Sequence, residues 1–270
     1  MSLHLPSALA LVVSAAFQPR LLVPHLTIRD LRQLDFVAMR KFGYSGAVFD
    51  KDNCLTLPLK DNLIPQLTEH WRSCKDAFGP SRVLVVSNSA GTVDDPGAIQ
   101  AESVSHALGV PVLIHLAKKP GWPCVRDVRR EFAKSAEHLA DEQKLAVIGD
   151  RLLTDVVLAH RLAKNKVSWS LSRATPQTKF KALAIFVEPW HPADARAVRS
   201  VENSWLQLAR KLTGLREVPL VVDGSEVVGV RVMDGWQDEV RPFVGSWQTN
   251  WDKTPRKVAP PVGPAEWEGY

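Results

Sequence analysis

The stretch AVFDKDNCLTLP, residues 47–58, ends a short apolar run with two aspartates, Asp50 and Asp52, on either side of Lys51. Two carboxylates held close together repel each other, so their position requires compensation. A bound cation, a shared proton or exposure on a solvated turn would each provide it. Most of the functional interpretation depends on which of the three applies.

Apolar runs of this kind alternate with helical patterns along much of the chain. Helices are predicted after Pro65, around residues 98–108, from Gly121 to about Leu139, and over residues 152–165. Buried strands separated by helices are typical of an α/β fold, in which helices cover both faces of a parallel sheet. The predicted strands are GAVFD (46–50), RVLVVSNS (82–89), VPVLIHL (110–116), KLAVIGD (144–150) and KVSWSL (166–171).

Polar side chains follow four of these predicted strands. In parallel sheets, ligands lie beyond the carboxyl ends of the strands, so loops that leave those ends meet around one site. One such ending would mean little, but four together predict a site with carboxylates, a hydroxyl, an amide and an ammonium group. The residues are Asp50, Asp52, Ser87, Asn88, Lys118, Lys119 and Asp150.

The segments FDKDNCLT, VVSNSAG, KKPG and VIGDRLLTD resemble, in order and spacing, the four motifs of the haloacid dehalogenase superfamily of phosphatases. The closer resemblance is to subfamily IIIA and, within it, to the fungal mitochondrial phosphatidylglycerophosphate phosphatases. It covers residues 20–175 and implies a Rossmann-like three-layer sandwich. The short gaps between the motifs leave no room for a large cap domain.

The resemblance implies a nucleophilic mechanism. Asp50 would attack phosphorus and form an aspartyl phosphate, a recognised use of a carboxylate. Asp52 would protonate the leaving oxygen and later accept a proton from water, acting as general acid and then as base. Ser87 and Lys119 would stabilise charge on the transferring phosphoryl oxygens.

The resemblance also implies a Mg2+ site, because hard carboxylate oxygens suit that ion. Its ligands would be Asp50, the backbone carbonyl of Asp52, and Asp150, while Asp155 would either support the metal through water or orient Lys119. Substrate binding is predicted for Asn88, Lys118 and Arg151. A surface role explains Arg151 equally well.

Each of these residues taken alone has an ordinary explanation. An aspartate pair can lie on a solvated turn, serine and asparagine are common in turns, and Asp150 could cap the following helix. Cys54 is interpreted as a packing residue and His115 as structural. The three cysteines, an odd number without CxxC or Cys/His spacing, predict reduced thiols and neither disulfides nor a zinc site.

A formal net charge of +5 favours an anionic partner. An uncapped site suits a phospholipid, and the resemblance implies Mg2+-dependent hydrolysis of phosphatidylglycerophosphate to phosphatidylglycerol in cardiolipin synthesis, peripherally on the matrix side of the mitochondrial inner membrane. A soluble phosphomonoester substrate and a non-catalytic lipid-binding protein stay open as alternatives. Basic residues are dispersed without an aromatic-basic pattern, which disfavours nucleic-acid binding.

Four regions are predicted along the chain. Residues 1–45 are predicted to form a membrane-associating or targeting segment, 46–190 the phosphatase core, 191–250 an extension, and 251–270 a flexible tail. The alternative for residues 1–30 is that they pack on the domain as an extra helix. The first region would contact the membrane through apolar and basic residues. The extension is predicted to contain an amphipathic helix that ends at Gly214 and a hairpin that turns at Asp223 and Gly224. The predicted membrane contacts are residues 8–17, the RLLV stretch (20–23), Arg20, Arg29, Arg32, Arg40 and Lys41.

Overall fold

The computed structural model describes residues 18–134, 142–164, 179–191 and 196–244. Its centre is a seven-stranded sheet with the order β3-β2-β4-β5-β1-β7-β6. Five neighbouring strands, from β3 to β1, run parallel, and β7 and β6 extend the sheet antiparallel. The strands are β1 (Leu26–Ile28), β2 (Tyr44–Phe49), β3 (Val83–Val85), β4 (Glu142–Gly149), β5 (Lys179–Val187), β6 (Glu217–Val222) and β7 (Ser225–Met233).

Helices lie on both faces of the sheet, which confirms the predicted three-layer α/β fold. One apolar cluster lies under the first three helices and a second under the next three. In the described part of the chain no further domain is inserted between β2 and the next helix. The helices are α1 (Phe36–Lys41), α2 (Thr68–Phe78), α3 (Ile99–Leu108), α4 (Trp122–Lys134), α5 (Val157–Ala163), α6 (Arg196–Thr213) and α7 (Gln237–Val240).

Strand β2 shows why the sheet needs helices on both sides. Ala47 and Phe49 pack into the first apolar cluster, whereas Val48 between them packs into the second. Successive side chains of a strand point to opposite faces, so a fully apolar strand is stable only when both faces are covered. The end of β2 therefore delivers Asp50 to the sheet edge from the centre of the fold.

The predicted helix and hairpin of the extension are both confirmed. Helix α6 ends at Thr213, directly before Gly214. The hairpin of β6 and β7 pairs Val222 with Ser225, and the two residues between them, Asp223 and Gly224, have φ angles of 49° and 79°. Positive φ at both central residues is typical of the tight turn that an Asp-Gly pair favours.

Two predicted strands have a different outcome. The prediction for VPVLIHL (110–116) is wrong, because only Val112 forms a bridge, to Val85. The chain then leaves the sheet, and the His115 amide donates to the Gly91 carbonyl at 2.8 Å. KVSWSL (166–171) lies outside the described residues. The fifth parallel strand of the described sheet is β1, which is only three residues long.

The sheet recruits strands from both sides of the predicted 46–190 core, since β1 precedes it and β6 and β7 follow it. Leu21, Leu22 and Val23 are buried in the second apolar cluster. These three residues therefore stabilise the fold and are not available for membrane contact, contrary to the prediction for RLLV. The apolar stretch 8–17 and the predicted tail lie outside the described residues. None of the helices in the described ranges combines the length and the apolar character needed to cross a bilayer.

Candidate active site

The loops at the carboxyl edge of the sheet bring three aspartates together. Asp50 follows β2, Asp150 follows β4, and Asp155 lies on the π-helical turn Leu152–Val156 that leads into α5. One carboxylate oxygen from each lies within 4.8 Å of the other two. Asp150 and Asp155 are buried, and Asp50 is partly exposed. The structure thus places three of the predicted metal-site residues in one cluster.

Lys119 joins two members of this cluster. Its Nζ donates to Asp50 Oδ1 at 2.6 Å and to Asp155 Oδ1 at 2.7 Å. Of the two roles predicted for Asp155, this contact matches the orientation of Lys119. Burial lowers the pKa of Lys119, but the charges of Asp155 and Asp50 more than offset that effect, so its pKa is raised and the ammonium form persists.

In the aspartates, unlike in Lys119, a raised pKa means that the charged form is disfavoured. Burial, and after it the charge of Asp50, raises the pKa of Asp150 well above its usual value. Burial also raises the pKa of Asp155, to about 6, although Lys119 opposes the shift. Carboxylates with raised pKa values are held in an environment that disfavours their charge, which is the condition that a bound cation relieves.

Gly149 permits the crowding of these carboxylates. A Cβ atom at that position would lie 2.3 Å from Cγ of Asp155, much closer than atoms can approach without displacement. Because the residue has no side chain, the Asp155 carboxylate can lie directly against the end of β4. The backbone amide of Arg151 then donates to Asp155 Oδ2 at 3.1 Å and fixes its orientation.

Asp52 has its own counter-ion, which answers the question raised by the two neighbouring aspartates. Lys51 is fully buried and its Nζ lies 2.8 Å from Asp52 Oδ1. The same Nζ donates to the Lys60 carbonyl at 2.8 Å. Asp50 and Asp52 therefore contact different lysines, Lys119 and Lys51. Burial raises the pKa of Asp52, while Lys51 opposes the shift.

Ser87 and Asn88 are anchored in the loop after β3. Ser87 Oγ accepts from the Ser89 amide at 3.1 Å and from the Ala90 amide at 3.3 Å. The Asn88 side chain brackets the backbone of Lys119, accepting from its amide at 2.7 Å and donating to its carbonyl at 3.3 Å. Asn88, predicted to bind substrate, thus positions Lys119.

His115 connects the same loops. Its ring contacts the Ser87 carbonyl at 3.0 Å and the Ala117 carbonyl at 2.7 Å, contacts that fit its predicted structural interpretation. Lys118 forms an exposed ion pair with Asp94. Lys119 faces the cluster, whereas Lys118 points to the surface, which matches the choice of Lys119 as the catalytic lysine.

Arg199 is a site residue that the motifs did not indicate. It lies in the first turn of α6, and its guanidinium pairs with the Asp150 carboxylate and donates to the Asp150 carbonyl at 3.0 Å. Arg151, predicted to contact substrate, instead places its Nε 3.2 Å from Glu202 on the same helix. Helix α6 is therefore tied to the aspartate loop by two ion pairs.

The donor set fits a hard divalent cation. Three carboxylates meet two cationic side chains, Lys119 and Arg199, in this cluster. Carboxylate oxygens are the ligands preferred by Mg2+, which commonly keeps several waters as well. Asp50, Asp150 and Asp155 are the side chains that could hold such an ion.

The chain is similar to known phosphatidylglycerophosphate phosphatases. A family model described as mitochondrial PGP phosphatase matches residues 7–170. A protein of Chlamydomonas reinhardtii named phosphatidylglycerophosphate phosphatase 1, chloroplastic, is 39% identical over 142 residues, which cover 52% of this chain and 50% of that protein. The chain thus matches half the length of this relative.

Two fungal relatives match over most of their length. Phosphatidylglycerophosphatase GEP4, mitochondrial, of Saccharomyces cerevisiae is 30% identical over 61% of this chain and 88% of its own length. A probable phosphatidylglycerophosphatase, mitochondrial, of Schizosaccharomyces pombe is 29% identical over 64% of this chain and 83% of its own. No solved structure matches the chain. The matched family region contains Asp50, Lys119 and Asp150 but ends before Arg199.

Proposed function

The chain belongs to the mitochondrial PGP phosphatase family, and from that membership we propose that it hydrolyses phosphatidylglycerophosphate to phosphatidylglycerol and inorganic phosphate. The observation that carries the proposal is the bridge of Lys119 between Asp50 and Asp155, next to Asp150. This cluster combines a nucleophile with positive charge for phosphoryl oxygens in one partly open site.

Asp50 is the proposed nucleophile. The hydrogen bonds that the described residues donate to its carboxylate, from Lys119 Nζ at 2.6 Å and the Lys51 amide at 2.8 Å, both reach Oδ1. Oδ2, which accepts neither of these hydrogen bonds, is the oxygen proposed to attack phosphorus. A bond forms between Oδ2 and phosphorus, and the bond from phosphorus to the glycerol oxygen breaks, leaving an aspartyl phosphate.

Asp52 is the proposed proton carrier. It protonates the departing glycerol oxygen and then accepts a proton from the water that attacks the aspartyl phosphate. That second step breaks the bond between phosphorus and Oδ2, releases phosphate and restores Asp50. Support for this role comes from the position of Asp52, whose Oδ1 accepts from the Leu59 amide at 3.1 Å and whose carboxylate is partly exposed.

The remaining residues stabilise charge. Lys119 meets the phosphoryl oxygens as they gain negative charge, and Ser87 donates its hydroxyl to the same group. Mg2+ held by Asp50, the Asp52 carbonyl and Asp150, with support from Asp155, would neutralise the phosphate dianion and allow a carboxylate to approach it. Asn88 and His115 contribute by holding the loops that carry Lys119 and Ser87.

The proposed place of action is the matrix surface of the mitochondrial inner membrane, where the chain would act as a peripheral protein and supply phosphatidylglycerol for cardiolipin. The names of both fungal relatives support a mitochondrial location. Residues 1–17 would add a membrane contact through their apolar stretch. Of the predicted basic contacts, Arg32 is engaged internally, with its Nε 2.9 Å from Asp30.

Phosphate release from phosphatidylglycerophosphate in mixed micelles tests the function. Wild type with Mg2+ is expected to turn over this lipid far faster than soluble phosphomonoesters. Asp50→Asn, which keeps the shape of the side chain, should lose at least about 10^4-fold in turnover, since it removes a nucleophile. The matched control is Asp94→Asn, which alters an exposed aspartate outside the cluster.

Three results would contradict the proposal. Equal turnover of soluble phosphomonoesters would favour the soluble substrate class. Full activity of Asp50→Asn would exclude the aspartyl phosphate. Vesicle binding by a wild-type chain without detectable phosphatase activity would favour a lipid-binding protein.

A further inference from the structure

Large apolar side chains are exposed on the loops that surround the candidate active site. Leu59 and Leu116 have 86% and 82% of their surface accessible, values reached by few apolar residues in a folded protein. Four more apolar side chains on the same loops are also exposed. Together they form what we call the loop rim, which consists of Leu57, Leu59, Val93, Ile114, Leu116 and Trp122.

The loop rim lies at the same sheet edge as the aspartate cluster. Leu57 and Leu59 belong to the loop after β2, Val93 to the loop after β3, and the other three residues to the segment that carries Lys119 into α4. All of these segments adjoin the carboxyl ends of parallel strands, where the aspartates also lie. The apolar tips therefore lie on loops at the same edge of the sheet as Asp50.

Hydrogen bonds connect the rim to the catalytic residues. The Leu59 amide donates to Asp52 Oδ1 at 3.1 Å, and Ser89 Oγ donates to Asp52 Oδ2 at 3.5 Å. Next to Ile114 and Leu116, the His115 amide donates to the Gly91 carbonyl at 2.8 Å. Leu59 is thus tied to Asp52, and the segment that carries Ile114 and Leu116 is tied to the loop after β3.

A concentration of exposed apolar side chains on the loops of one sheet edge indicates an interaction surface. Its aliphatic tips and tryptophan, together with Arg126 and with Lys118, which pairs with Asp94, are typical of a surface that enters the headgroup region of an anionic membrane. If the substrate is a phospholipid, its acyl chains stay in the bilayer while its phosphate reaches Asp50, so the membrane has to approach this edge.

We propose that the loop rim inserts into the surface of the anionic phospholipid bilayer that carries the substrate. The proposal rests on the proposed function for the choice of a lipid partner, and it adds the face of the molecule that meets the membrane. Phosphatidylglycerophosphate then enters the site from the bilayer without leaving it. Docking and catalysis use the same loops.

The opposite edge of the sheet offers a poorer docking surface. Arg40 and Lys41, predicted as headgroup contacts, end α1 just before the start of β2. Asp50 follows the other end of that six-residue strand, about 20 Å away at the usual rise per residue. A membrane bound at Arg40 and Lys41 would therefore face away from the active site.

Flotation with phosphatidylcholine vesicles that contain phosphatidylglycerol tests the rim without any need for turnover. The rim variant is Leu59→Gln with Leu116→Gln. The matched control is Val37→Gln with Phe42→Gln, two exposed apolar residues near the opposite edge. We expect the rim variant to partition onto vesicles at least about tenfold less than wild type, and the control to stay within about twofold.

A full-length variant with Leu11→Gln and Val12→Gln, in the apolar stretch 8–17, separates the rim from the N-terminal stretch. The proposal requires that this variant still floats and that the rim substitutions reduce its binding further. Flotation that depends on residues 1–17 and is equal for wild type and rim variant overturns it. Unchanged flotation combined with loss of a dimer in the rim variant would also overturn it, by identifying a second copy as the occupant.

Fluorescence provides a measurement that does not depend on the two leucines. Brominated phospholipids quench tryptophans that enter the bilayer, so Trp122→Phe should reduce the quenching seen for wild type. Equal quenching in both proteins would contradict insertion of the rim. If flotation and quenching follow the rim while phosphatidylglycerophosphate is not hydrolysed, the docking surface stands and the proposed function fails. If the lipid is hydrolysed but flotation does not depend on the rim, the proposed function stands and the docking surface fails.

Discussion

The two edges of the sheet differ in how fully their buried charges are compensated and in how far their apolar side chains are exposed. At the carboxyl edge, Lys119, Asp150 and Asp155 are buried, while Leu59 and Leu116 are exposed. At the amino edge, Arg40 and Lys41 are exposed, and the buried charge is Arg82. Apolar residues normally lie inside and charges outside, so the carboxyl edge departs from the usual distribution.

Arg82 shows how a buried charge can serve stability alone. Its guanidinium donates to the Ser45 carbonyl at 2.9 Å, the Phe132 carbonyl at 3.0 Å and Gln143 Oε1 at 2.9 Å. These acceptors lie near the starts of β2 and β4 and at the end of α4. Each of the three guanidinium nitrogens of Arg82 therefore has an acceptor, as buried polar groups require. Among Asp50, Asp150 and Asp155, by contrast, three carboxylates share two cationic partners, Lys119 and Arg199, and one negative charge is left in excess.

The comparison indicates that the amino edge stabilises the fold while the carboxyl edge is kept for chemistry. Crowded carboxylates of raised pKa and exposed leucines both cost stability, and both are concentrated where the phosphate would bind. Sites of this kind are expected where function overrides stability. Substitutions at the two edges should therefore separate activity from stability.

After Asp50→Asn, the largest effect is expected for Lys119→Gln. This change removes positive charge from the phosphoryl site and leaves Asp50 and Asp155 without their shared partner. We expect turnover to fall about 10^3-fold and the free energy of unfolding to fall by about 3–5 kcal/mol, because breaking a buried ion pair leaves uncompensated charge. Phosphate release and urea denaturation measure the two quantities.

Lys118→Gln is the matched control, since Lys118 is adjacent in sequence and pairs with Asp94 on the surface. An exposed pair contributes at most about 1 kcal/mol, so stability should hardly change. Similar losses of stability in both variants would show that the buried bridge is not the source of the effect. A Lys119→Gln protein with normal turnover would remove this lysine from the mechanism.

At the amino edge, Arg82→Met should reverse the relation between activity and stability. Three carbonyl-type acceptors lose their donors, and the free energy of unfolding should fall by about 2–4 kcal/mol. Turnover per folded molecule should stay within about twofold of wild type, because Arg82 precedes β3 and contacts no residue of the site. A loss of turnover that exceeds the loss of folded protein would contradict the inference that the amino edge serves stability alone.

The sequence predicts the part of the site that local motifs define. Asp50, Asp150 and Lys119 lie in short segments whose residue order is informative by itself, and the Asp223–Gly224 turn is set by two adjacent residues. Arg199 is 49 residues from its partner Asp150 and belongs to a helix without a motif. Its role depends on where α6 packs, which periodicity does not specify.

Other differences between prediction and structure arise where a strand is short or where one residue type can serve two roles. The three residues of β1 are too few to show a strand period, and Pro111 with the departure at His115 limits the segment after α3 to one bridge. Asn88 has a side chain suited to either substrate or backbone, and only its contact with the Lys119 backbone distinguishes the two. Residue type alone leaves such choices open.

A smaller effect is expected for Asp150→Asn in metal-free protein. Burial and the charge of Asp50 raise the pKa of Asp150 in the folded state, so folding favours its protonated form. Its contribution to stability must then fall as pH rises above the ordinary carboxyl value of 3.8. Asparagine cannot ionise, so the melting temperature of the variant relative to that of wild type should rise as pH increases from 4 to 8.

Differential scanning fluorimetry in a chelator, repeated from pH 4 to pH 8, measures this difference. The gap between variant and wild type should widen as pH rises, while Asp94→Asn, at an exposed aspartate, should show no such trend. Added Mg2+ should raise the melting temperature of wild type more than that of Asp150→Asn. A gap that is constant or narrows with pH would mean that Asp150 is not destabilised in the fold.

The smallest effect is expected at the contact between the extension and the cluster. Arg199 pairs with the Asp150 carboxylate, so its charge competes with any cation held there. Arg199→Gln should therefore bind Mg2+ about three- to tenfold more tightly in calorimetry without substrate, since removing a nearby positive charge favours a cation. Arg196→Gln, one helical turn earlier and exposed, should bind the ion as wild type does. Weaker binding by Arg199→Gln would show that Arg199 instead holds Asp150 in position for the ion. The extension would then help to build the cation site at the carboxyl edge, in addition to neutralising its negative charge.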